Sequence, residues 1–337
     1  MVPGFASLCY ARNDSLIMNI LSNRINGDFK GKDVVSLDQF SQRDIKILFS
    51  LVPKMRQIAV KTMPSKIIAG KIVVMLFYEP SSRTFGSFST AIKQIGGQTV
   101  EILNPQQFSS VVKGETFEDT IRVFEAYSDA IIIRHPETGS AQKAAGIAKF
   151  VPIINAGDGI GEHPTQALAD LYTIKEKFKR LNNLHVVFFG ELAHYRSVNS
   201  LAKLLALYPG IKMSFVSPPQ VGLSPNIKLY LKEKKIKIQE LQDIDDVIGD
   251  ADVLYVSRVK KEFMPDDLYK KIQGKYRVDN NTLSKMKKES IIMHPLPRVS
   301  EILMEVDSDP RAVYLRSQIR NGTYVRMALL ALVLGKV

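Results

Sequence analysis

Cysteine is scarce in this chain of 337 residues, which contains only Cys9. One cysteine excludes an internal disulfide framework and is typical of a reducing compartment. Cys9 lies in a predicted N-terminal extension, residues 1–30, so we do not expect a catalytic thiol. The five histidines show neither H-E-x-x-H spacing nor a Cys/His cluster. We therefore expect no metal site.

Long apolar runs are missing as well. No stretch approaches the roughly 18 apolar residues of a membrane span, so no membrane association is expected. The N-terminus has no basic residue before Arg12 and no long apolar block, which argues against a secretory signal. It has few acids and some Ser and Arg, which leaves an organellar presequence open. The expected location is the cytoplasm.

The charge balance is one-sided, with a net charge of +12 and a pI of about 9.5. A basic surface suits nucleic acid, but it also concentrates anionic substrates. The basic runs, such as 228–237, contain acids and apolar residues at helix or strand spacing, which is typical of solvated faces. No aromatic-interleaved basic motif or zinc module accompanies them. Nucleic acid is therefore not the expected partner.

Strand and helix patterns alternate along the chain. Segments with strand character are 71–78, 98–103, 129–134, 151–154, 185–190, 212–217, 236–240, 252–257 and 290–293. The clearest helical patterns are 85–95, 164–180, 197–208 and one within 312–334. Strands separated by helices predict right-handed βαβ units and parallel sheets covered on both faces.

The expected fold class is therefore α/β, with two doubly wound parallel-sheet domains joined by interdomain helices. A change of domain near 160–185 is indicated by one long helix that leads into a fresh strand. The predicted domains are 31–164 together with 315–337, and 165–314. The last helix is apolar enough to pack on existing surface and is expected to return to the first domain.

A polar cluster, EPSSRT (79–84), lies between the first strand and the first clear helix. A helix start offers unpaired N–H groups and the positive end of the helix dipole. Hydroxyl donors and a guanidinium added there suit a phosphate. A simple helix cap would explain one hydroxyl of Ser81 or Ser82, but it would not explain Arg83.

Similar clusters follow other strands: RHP (134–136), NAGDGIGEHPTQ (155–166), GELAHYR (190–196), SRVKK (257–261) and HPLPR (294–298). Open parallel sheets bind ligands at the carboxyl ends of their strands. Solvated loops do not need an arginine at so many strand exits. The pattern therefore predicts a cleft for a substrate with several negative charges.

Known nucleotide and nucleophile signatures are absent from the sequence. There is no G-x-x-x-x-G-K-[ST], and NAGDGIG (155–161) has G-x-G-x-G spacing, so its glycines are expected to shape a turn. No Ser-His-Asp or Cys-His arrangement indicates a covalent intermediate. His163 precedes a helix, where it could simply be satisfied locally or could stabilise a developing oxyanion. The residues alone predict a transfer between a phosphate and an acid, catalysed by positioning and charge.

Six motifs together resemble the carbamoyltransferase family, in its aspartate branch. They are S-S-R-T (81–84), S-S-V-V-K-G-E (109–115), R-H-P (134–136), H-P-T-Q (163–166), S-R-V (257–259) and H-P-L-P-R (294–298). Their order and spacing fit from about residue 32 to the C-terminus. The ornithine branch carries a cysteine in the corresponding H-C-L-P, and this chain has no cysteine there.

The resemblance implies transfer of the carbamoyl group of carbamoyl phosphate to L-aspartate, the committed step toward pyrimidines. The amine would attack the carbamoyl carbon directly, with no cofactor and no covalent intermediate. The resemblance also implies at least a homotrimer, in which Ser109 and Lys113 reach a neighbouring subunit's site. It leaves open whether a regulatory chain joins a larger assembly.

The resemblance assigns roles to individual residues. The implied catalytic residues are His163, Arg83, Thr84, Arg134 and Lys113. The implied carbamoyl phosphate contacts are Ser81, Ser82, Arg83, Thr84, Ser109, Lys113, Arg134, His163, Gln166, Leu296 and Pro297, the last two through their backbone carbonyls. The implied aspartate contacts are Lys113, Arg196, Arg258 and Lys260. Glu79 would take part in domain closure.

The chain departs from the family pattern mainly in the amino-acid half. Lys260 and Phe263 stand where Gln and Arg are common, and His194-Tyr195 stands where Tyr-Gly is common. In the phosphate half, Ser82 replaces a usual Thr and Phe85 a common Arg. Two alternatives follow: a carbamoyltransferase with another amino-acid acceptor, and a catalytically silent relative that binds nucleic acid or a protein partner.

Overall fold

The computed structural model describes residues 24–60, 65–108, 110–259 and 266–337. These residues fall into two compact units. Unit 1 runs to Asp158 and takes in Met327–Val337, and unit 2 is Gly159–Arg326. The predicted boundaries lay at 164 and 314.

Strands and helices alternate as in a doubly wound fold. The strands are β1 Ile72–Phe77, β2 Gln98–Leu103, β3 Ala130–His135, β4 Ile153–Asp158, β5 His185–Gly190, β6 Lys212–Val216, β7 Lys237–Leu241, β8 Val253–Ser257 and β9 Ile291–Met293. The helices are α1 Gln42–Val60, α2 Ser82–Gln94, α3 Pro105–Phe108, α4 Phe117–Glu125, α5 Ser140–Ile147, α6 Pro164–Phe178, α7 Arg196–Leu205, α8 Pro225–Glu233, α9 Asp266–Gln273, α10 Asn280–Lys285 and α11 Ser317–Val333.

The sheet of unit 1 has the order β2-β1-β3-β4, and every neighbouring pair is parallel. The chain passes from β1 to β2 on one side and then returns to β3 on the other. The switch in direction therefore lies between β1 and β3, where Phe77 is the register partner of Arg134. Such a switch point is the usual ligand position of an open α/β sheet.

The sheet of unit 2 has the order β7-β6-β5-β8-β9 and is also entirely parallel. Its switch point lies between β5 and β8, whose last residues Gly190 and Ser257 are register partners. The loops that leave β5 and β8 therefore start at the same edge and the same level. Arg258 lies in the loop after β8, and Arg196 directly follows the loop after β5.

The central strands are apolar because both of their faces are covered. All of β5 is buried, as is β1 apart from its first residue. Continuous apolar strands, in which apolar and polar residues do not alternate, are typical of parallel sheets with helices on both sides. The core of unit 1 forms around β1 and β3 and that of unit 2 around β5 and β8. The prediction of two parallel-sheet α/β domains is confirmed.

Three local predictions need correction. β4 runs over Ile153–Asp158 rather than 151–154, so NAGD belongs to the strand. The reason is that its polar Asn155 is buried and bonded by its amide to Val35 O, at 3.1 Å. The helix after β1 begins at Ser82, one turn before the apolar spacing that predicted it. α1 was missed, because Pro53 lies inside it and proline usually ends a helix.

Residues 24–30, which the structure describes, fall within the predicted N-terminal extension, residues 1–30. Ile25 and Phe29 are 1% and 2% exposed, so they belong to the core of unit 1. Gly31 N–H donates to Val333 O at 2.8 Å, which ties this segment to the C-terminal end of α11. α11 itself is shared, with Ser317–Arg326 in unit 2 and the rest in unit 1. Within the described residues no helix is long and apolar enough to cross a membrane.

Candidate active site

The junction after β1 has the features of an anion site. Ser81 is the N-cap residue of α2, yet its side chain makes no capping hydrogen bond. The hydroxyl is therefore not used in the way that a simple helix cap would use it. Ser82 and Arg83 are exposed in the first turn, Thr84 is buried, and that turn contains no acidic residue. Hydroxyls, backbone N–H groups and a guanidinium are thus brought together at a helix start.

Arg134 lies at the same sheet edge, near the end of β3. Its side chain is 8% exposed and binds the Glu79 carboxylate, with 3.0 Å between Nη2 and Oε1. Its Nη1 also donates to Ala156 O at 3.1 Å. A buried guanidinium is stable only with such partners. Glu79, which the resemblance assigned to domain closure, thus has Arg134 as a partner within unit 1.

His135, the middle residue of R-H-P, belongs to an aromatic cluster. Its ring centroid lies 4.6 Å from that of Tyr78 and 5.5 Å from that of Phe117. Burial lowers the pKa of His135 and raises the pKa of Tyr78 to about 12. Both groups are therefore neutral near pH 7. The cluster packs the strand ends and does not add charge to the site.

The end of β4 forms a fixed turn, as the glycine spacing predicted. Asn155 accepts a hydrogen bond from Gly157 N–H at 2.7 Å and donates to Asp158 at 3.1 Å. Asp158 also accepts from Gly139 N–H at 2.8 Å. Gly157 has a φ of 113°, which L residues rarely adopt. The motif therefore shapes the backbone at the end of β4.

His163 is the N-cap residue of α6 and is 6% exposed. Its backbone N–H donates to Ser200 Oγ at 3.1 Å, and its side chain makes no capping bond. Pro164 follows at the first helical position, where its missing N–H removes no helical hydrogen bond. The imidazole is thus placed at the positive end of a helix, where an oxyanion is stabilised.

A buried carboxylate orients Gln166. The Gln166 Nε2 donates to Asp170 Oδ1 at 2.9 Å, which directs the amide oxygen of Gln166 away as an acceptor. Asp170 is fully buried and also accepts from Gln318 Nε2 and from the Tyr255 hydroxyl, both at 2.8 Å. Burial raises the pKa of Asp170 to about 6, although these hydrogen bonds oppose the rise.

Asp170 was not predicted from the sequence. The available signal was an acid four residues after Gln166, in the otherwise apolar run ALADLY. An acid on the buried face of a helix needs partners and is therefore a candidate for a structural or functional role.

Arg196 is the first residue of α7, directly after the loop that leaves β5. Its Nη1 donates to Gly159 O at 2.7 Å. The loop is held by Glu191, which is fully buried and bonded through Oε1 to His194 Nδ1 at 2.8 Å. Ser257 Oγ, at the end of β8, donates to Glu191 O at 2.6 Å.

Tyr195 precedes one arginine of the amino-acid half in the chain and contacts the other. It immediately precedes Arg196 as the N-cap residue of α7, and its hydroxyl is hydrogen-bonded with Arg258. Burial raises the pKa of Tyr195 to about 12, against the effect of Arg258. Arg196 and Arg258 thus follow neighbouring parallel strands, and the residue before Arg196 contacts Arg258. Two guanidiniums in this arrangement suit a dicarboxylate.

The loop after β9 carries H-P-L-P-R. His294 is buried at its start, and the Leu296–Pro297 peptide bond is cis. Arg298 forms a bidentate ion pair with Asp307 and also donates to the Tyr314 hydroxyl at 3.1 Å. Arg298 was counted among the strand-exit arginines, but these contacts give it a structural role in unit 2.

Other predicted site residues are less informative. Lys113 is exposed at the end of a short 3-10 helix, Ser110–Lys113. Ser109, Lys260 and Phe263 lie outside the described residues. Within the described part of the chain, no group of three or more His, Cys, Asp or Glu side chains is placed to hold a metal ion.

Comparisons with known proteins agree with this distribution of residues. Residues 32–176 match the carbamoyl-P binding domain of aspartate/ornithine carbamoyltransferases, and residues 182–333 match the Asp/Orn binding domain. The chain is 46% identical over 308 residues to a chloroplastic aspartate carbamoyltransferase of Arabidopsis thaliana, covering 91% of this chain and 78% of that protein. It is 44% identical over 310 residues to an aspartate carbamoyltransferase catalytic subunit of Methanocella arvoryzae, covering 91% and 99%.

Solved structures give the same answer. The catalytic subunit of M. jannaschii aspartate transcarbamoylase superposes with a TM-score of 0.83 at 42% identity, over 89% of this chain and 96% of that chain. Aspartate transcarbamoylase from Trypanosoma cruzi in complex with carbamoyl phosphate gives 0.86 at 36% identity, over 91% and 97%. The chain belongs to the aspartate/ornithine carbamoyltransferase family, in the branch of the aspartate carbamoyltransferases.

Proposed function

We propose that this protein transfers the carbamoyl group of carbamoyl phosphate to L-aspartate, giving N-carbamoyl-L-aspartate and phosphate for pyrimidine biosynthesis. The observation that carries the proposal is the pair Arg196 and Arg258 on neighbouring strand ends of unit 2. Two guanidiniums fit the two carboxylates of aspartate and would repel the side-chain ammonium of ornithine. The named relatives and solved structures of this branch support the same reaction.

The phosphate half of the reaction is assigned to unit 1. Ser81, Ser82, Arg83 and Thr84 would bind the phosphate at the start of α2, with Arg134 beside them. As the bond to the carbamoyl carbon breaks, negative charge builds on the leaving phosphate. Preorganised cations and N–H donors stabilise that charge without reorganising.

The carbonyl oxygen and the amide of the carbamoyl group are assigned to two sets of residues. His163, Thr84 and Arg134 would polarise its carbonyl oxygen. Its amide would donate to the oxygen of Gln166 and to the carbonyls of Leu296 and Pro297. The orientation of Gln166 supports this assignment, because its NH₂ group is already bonded to Asp170.

The attacking group is the uncharged amine of aspartate. Arg196 and Arg258, with Lys113 and Lys260, would hold the carboxylates so that the amine faces the carbamoyl carbon. The amine forms the new C–N bond, the C–O bond to phosphate breaks, and the departing phosphate accepts the released proton. Positioning of this kind needs no covalent enzyme intermediate.

The test is the formation of ureido product from carbamoyl phosphate, with L-aspartate and L-ornithine run in parallel. Wild type and His163→Ala are compared after subtraction of spontaneous carbamoyl phosphate breakdown. Aspartate-dependent product that falls at least about 100-fold in the variant supports the reaction and the site. Product with ornithine but not with aspartate would show that the protein uses a different amino-acid acceptor. No product with either amino acid would favour a catalytically silent relative.

We also propose a homotrimer in which Ser109 and Lys113 complete the site of a neighbouring subunit. The exposure of Lys113 supports this, because the residue is available to another chain. Two inactive variants, Lys113→Ala and His163→Ala, should regain part of the activity when they are mixed under conditions of subunit exchange. A monomer in sedimentation, or mixtures that stay inactive despite exchange, would contradict the shared site.

Further assignments follow from this function. The carbamoyl phosphate domain would be residues 31–164 with 315–337, and the aspartate domain 165–314.

A cytoplasmic location is proposed for the protein. Because plant relatives are named chloroplastic, the location is tested by fusing residues 1–30 to a fluorescent protein. Co-purification would detect a regulatory chain. A gel shift with duplex DNA or RNA at low salt should be negative.

A further inference from the structure

The loop after β9, residues 294–301, is closed by a buried pair of side chains. His294 stands at its first position and Glu301 at its last, and they are 1% and 3% exposed. His294 Nε2 lies 2.8 Å from Glu301 Oε1. Burying an ionisable pair is unfavourable unless every polar atom finds a partner. The contacts of this pair therefore show what it is used for.

Both side chains also bind the backbone of the loop that they close. His294 Nδ1 accepts a hydrogen bond from Leu296 N–H at 2.7 Å. Glu301 Oε2 accepts from the N–H groups of Val299 and Ser300, each at 3.0 Å. Burial opposes ionisation of Glu301, but the hydrogen bonds from His294 and the backbone outweigh it and lower the pKa of this carboxyl.

These contacts define the histidine tautomer. Because Nδ1 accepts the Leu296 N–H, the imidazole proton lies on Nε2, which then donates to Glu301. A continuous chain of hydrogen bonds results, from Leu296 N–H through His294 and Glu301 to the N–H groups after Pro297. Leu296 has a φ of 57°, in the left-handed region that a residue with a Cβ atom disfavours. The chain of hydrogen bonds spans this unfavourable residue.

The same loop is tied to Asp170. The backbone N–H of His294 donates to Gln318 Oε1 at 3.0 Å, and Gln318 Nε2 donates to Asp170 Oδ1 at 2.8 Å. Asp170 is also the carboxylate that orients Gln166. The three acceptors proposed for the carbamoyl amide, on Gln166, Leu296 and Pro297, are therefore supported by one buried network in unit 2.

We propose that His294 and Glu301 are positioning residues for recognition of the carbamoyl amide. They hold the carbonyls of Leu296 and Pro297 in the orientation that accepts the amide N–H groups. This inference rests on the proposed function, and neither side chain touches the substrate in it. Its consequence is a selectivity: the pair should favour carbamoyl phosphate over ligands that carry the phosphate but lack the NH₂ group.

Acetyl phosphate and inorganic phosphate are such ligands. Acetyl phosphate keeps the carbonyl and replaces NH₂ by a methyl group, and inorganic phosphate lacks the whole acyl group. A defect in amide recognition should weaken carbamoyl phosphate alone. A general loss of structure should weaken all three ligands together.

The experiment measures the KM for carbamoyl phosphate at saturating aspartate, and the inhibition constants of acetyl phosphate and inorganic phosphate against it. In Glu301→Gln, one amide NH₂ replaces an acceptor oxygen, so a bond to His294 or to the backbone must fail. We expect the affinity for carbamoyl phosphate to fall about 10-fold, as for one or two lost hydrogen bonds. The two inhibitors should stay within about 2-fold of wild type.

A second variant separates the two arms of the pair. In His294→Asn, the side-chain oxygen can replace Nδ1 as the acceptor for Leu296 N–H, but the side chain no longer reaches Glu301. The loss of selectivity should be smaller than in Glu301→Gln.

The matched control is Glu305→Gln, since Glu305 is an exposed carboxylate that accepts a hydrogen bond from Asn280 N–H at 2.9 Å. It should leave all three constants unchanged.

The outcomes are distinct. Unchanged preference for carbamoyl phosphate in both variants, or equal weakening of all three ligands, overturns the inference. If Glu301→Gln does not fold, His294→Asn alone decides. The quantity compared is again the change in KM for carbamoyl phosphate relative to the change in the two inhibition constants. If wild type shows no turnover with carbamoyl phosphate, the proposed function itself fails, and this result precedes any comparison of variants.

Discussion

The two units position their site residues by different means. In unit 1 the proposed phosphate residues belong to regular elements or adjoin them, since Ser82, Arg83 and Thr84 form the first turn of α2 and Arg134 lies in β3. In unit 2, several residues proposed to bind aspartate or the carbamoyl amide lie on or next to the loops that follow β5, β8 and β9. They are Arg196, Arg258, Leu296 and Pro297. Buried side chains, chiefly Glu191 and Glu301, bind these loops from within.

The difference concerns what a mutation can disturb. Backbone hydrogen bonds of a helix and a sheet fix the site in unit 1, so a side chain there can be removed without moving its neighbours. The loops of unit 2 depend on buried polar groups, whose loss leaves a donor or acceptor unpaired. Function in unit 2 should therefore be more sensitive than function in unit 1 to residues that never contact a substrate, although Arg134 in unit 1 also has a supporting partner, Glu79.

The largest effect is expected for Arg83→Ala in unit 1. The change removes a charged donor from the phosphate while the first turn of α2 remains, so kcat/KM should fall roughly 1,000-fold with little change in Tm. Steady-state kinetics and a thermal melt measure the two quantities. Arg122→Ala is the control, because its ion pair with Asp119 is exposed. Full turnover in Arg83→Ala would mean that the phosphate binds elsewhere.

The pH dependence of stability should depend on Asp170 in unit 2. Its folded pKa of about 6 lies above the ordinary value of 3.8. Between these values the folded state binds more protons than the unfolded state, so this group lowers stability as pH rises. The loss amounts to about 3 kcal/mol, and it is complete above the folded pKa.

Asp170→Asn removes this titration while it keeps the shape of the side chain. Denaturant unfolding of both proteins between pH 4 and pH 7 measures the effect. Relative to the variant, wild type should lose stability as pH rises through this window. Parallel curves would show that Asp170 does not titrate in this range.

Aspartate binding should depend on the shape of the Arg258 side chain and not only on its charge. Arg258→Lys keeps the charge but loses the planar fork, so the KM for aspartate should rise about 10-fold, and about 100-fold in Arg258→Ala. Inhibition by inorganic phosphate should stay unchanged in both, because the phosphate site belongs to unit 1. A loss of phosphate affinity in either variant would break the separation between the two units.

The smallest effect is expected for Tyr195→Phe. The change removes only the hydroxyl that is hydrogen-bonded with Arg258, so the KM for aspartate should rise about 5-fold, as for one hydrogen bond. Tyr127→Phe is the control, since Tyr127 is half exposed in unit 1. Equal kinetics in the two variants would show that Tyr195 does not position Arg258.

Much of the fold was predictable, for a reason that particular strands show. β1 and β5 are apolar on both faces, and that pattern is local to the chain. The predicted strands differ from the observed ones by two residues at most, apart from β4, where a buried asparagine was taken for a loop residue. The position of Ser81–Thr84 at a helix start also followed from local spacing.

The supporting residues were not predictable in this way. Glu191 and Glu301 have no local pattern that separates them from surface acids, and the only local signal for Asp170 is the apolar run ALADLY around it. Their partners lie far along the chain in several cases, as with Gln318 and Tyr255 around Asp170. Arg298 shows the converse error, since its strand-exit position suggested a substrate and its contacts are with Asp307 and Tyr314.

By itself, the sequence determined the parallel α/β architecture, the polar strand ends and the family resemblance, because apolar periodicity and short motifs are properties of neighbouring residues. Only the tertiary structure decided which polar residues support others: that Gln166 is oriented by Asp170, that Tyr195 contacts Arg258, and that His294 and Glu301 close one loop. A buried polar group is stable only when distant segments supply its hydrogen bonds, and those partners are chosen by the fold.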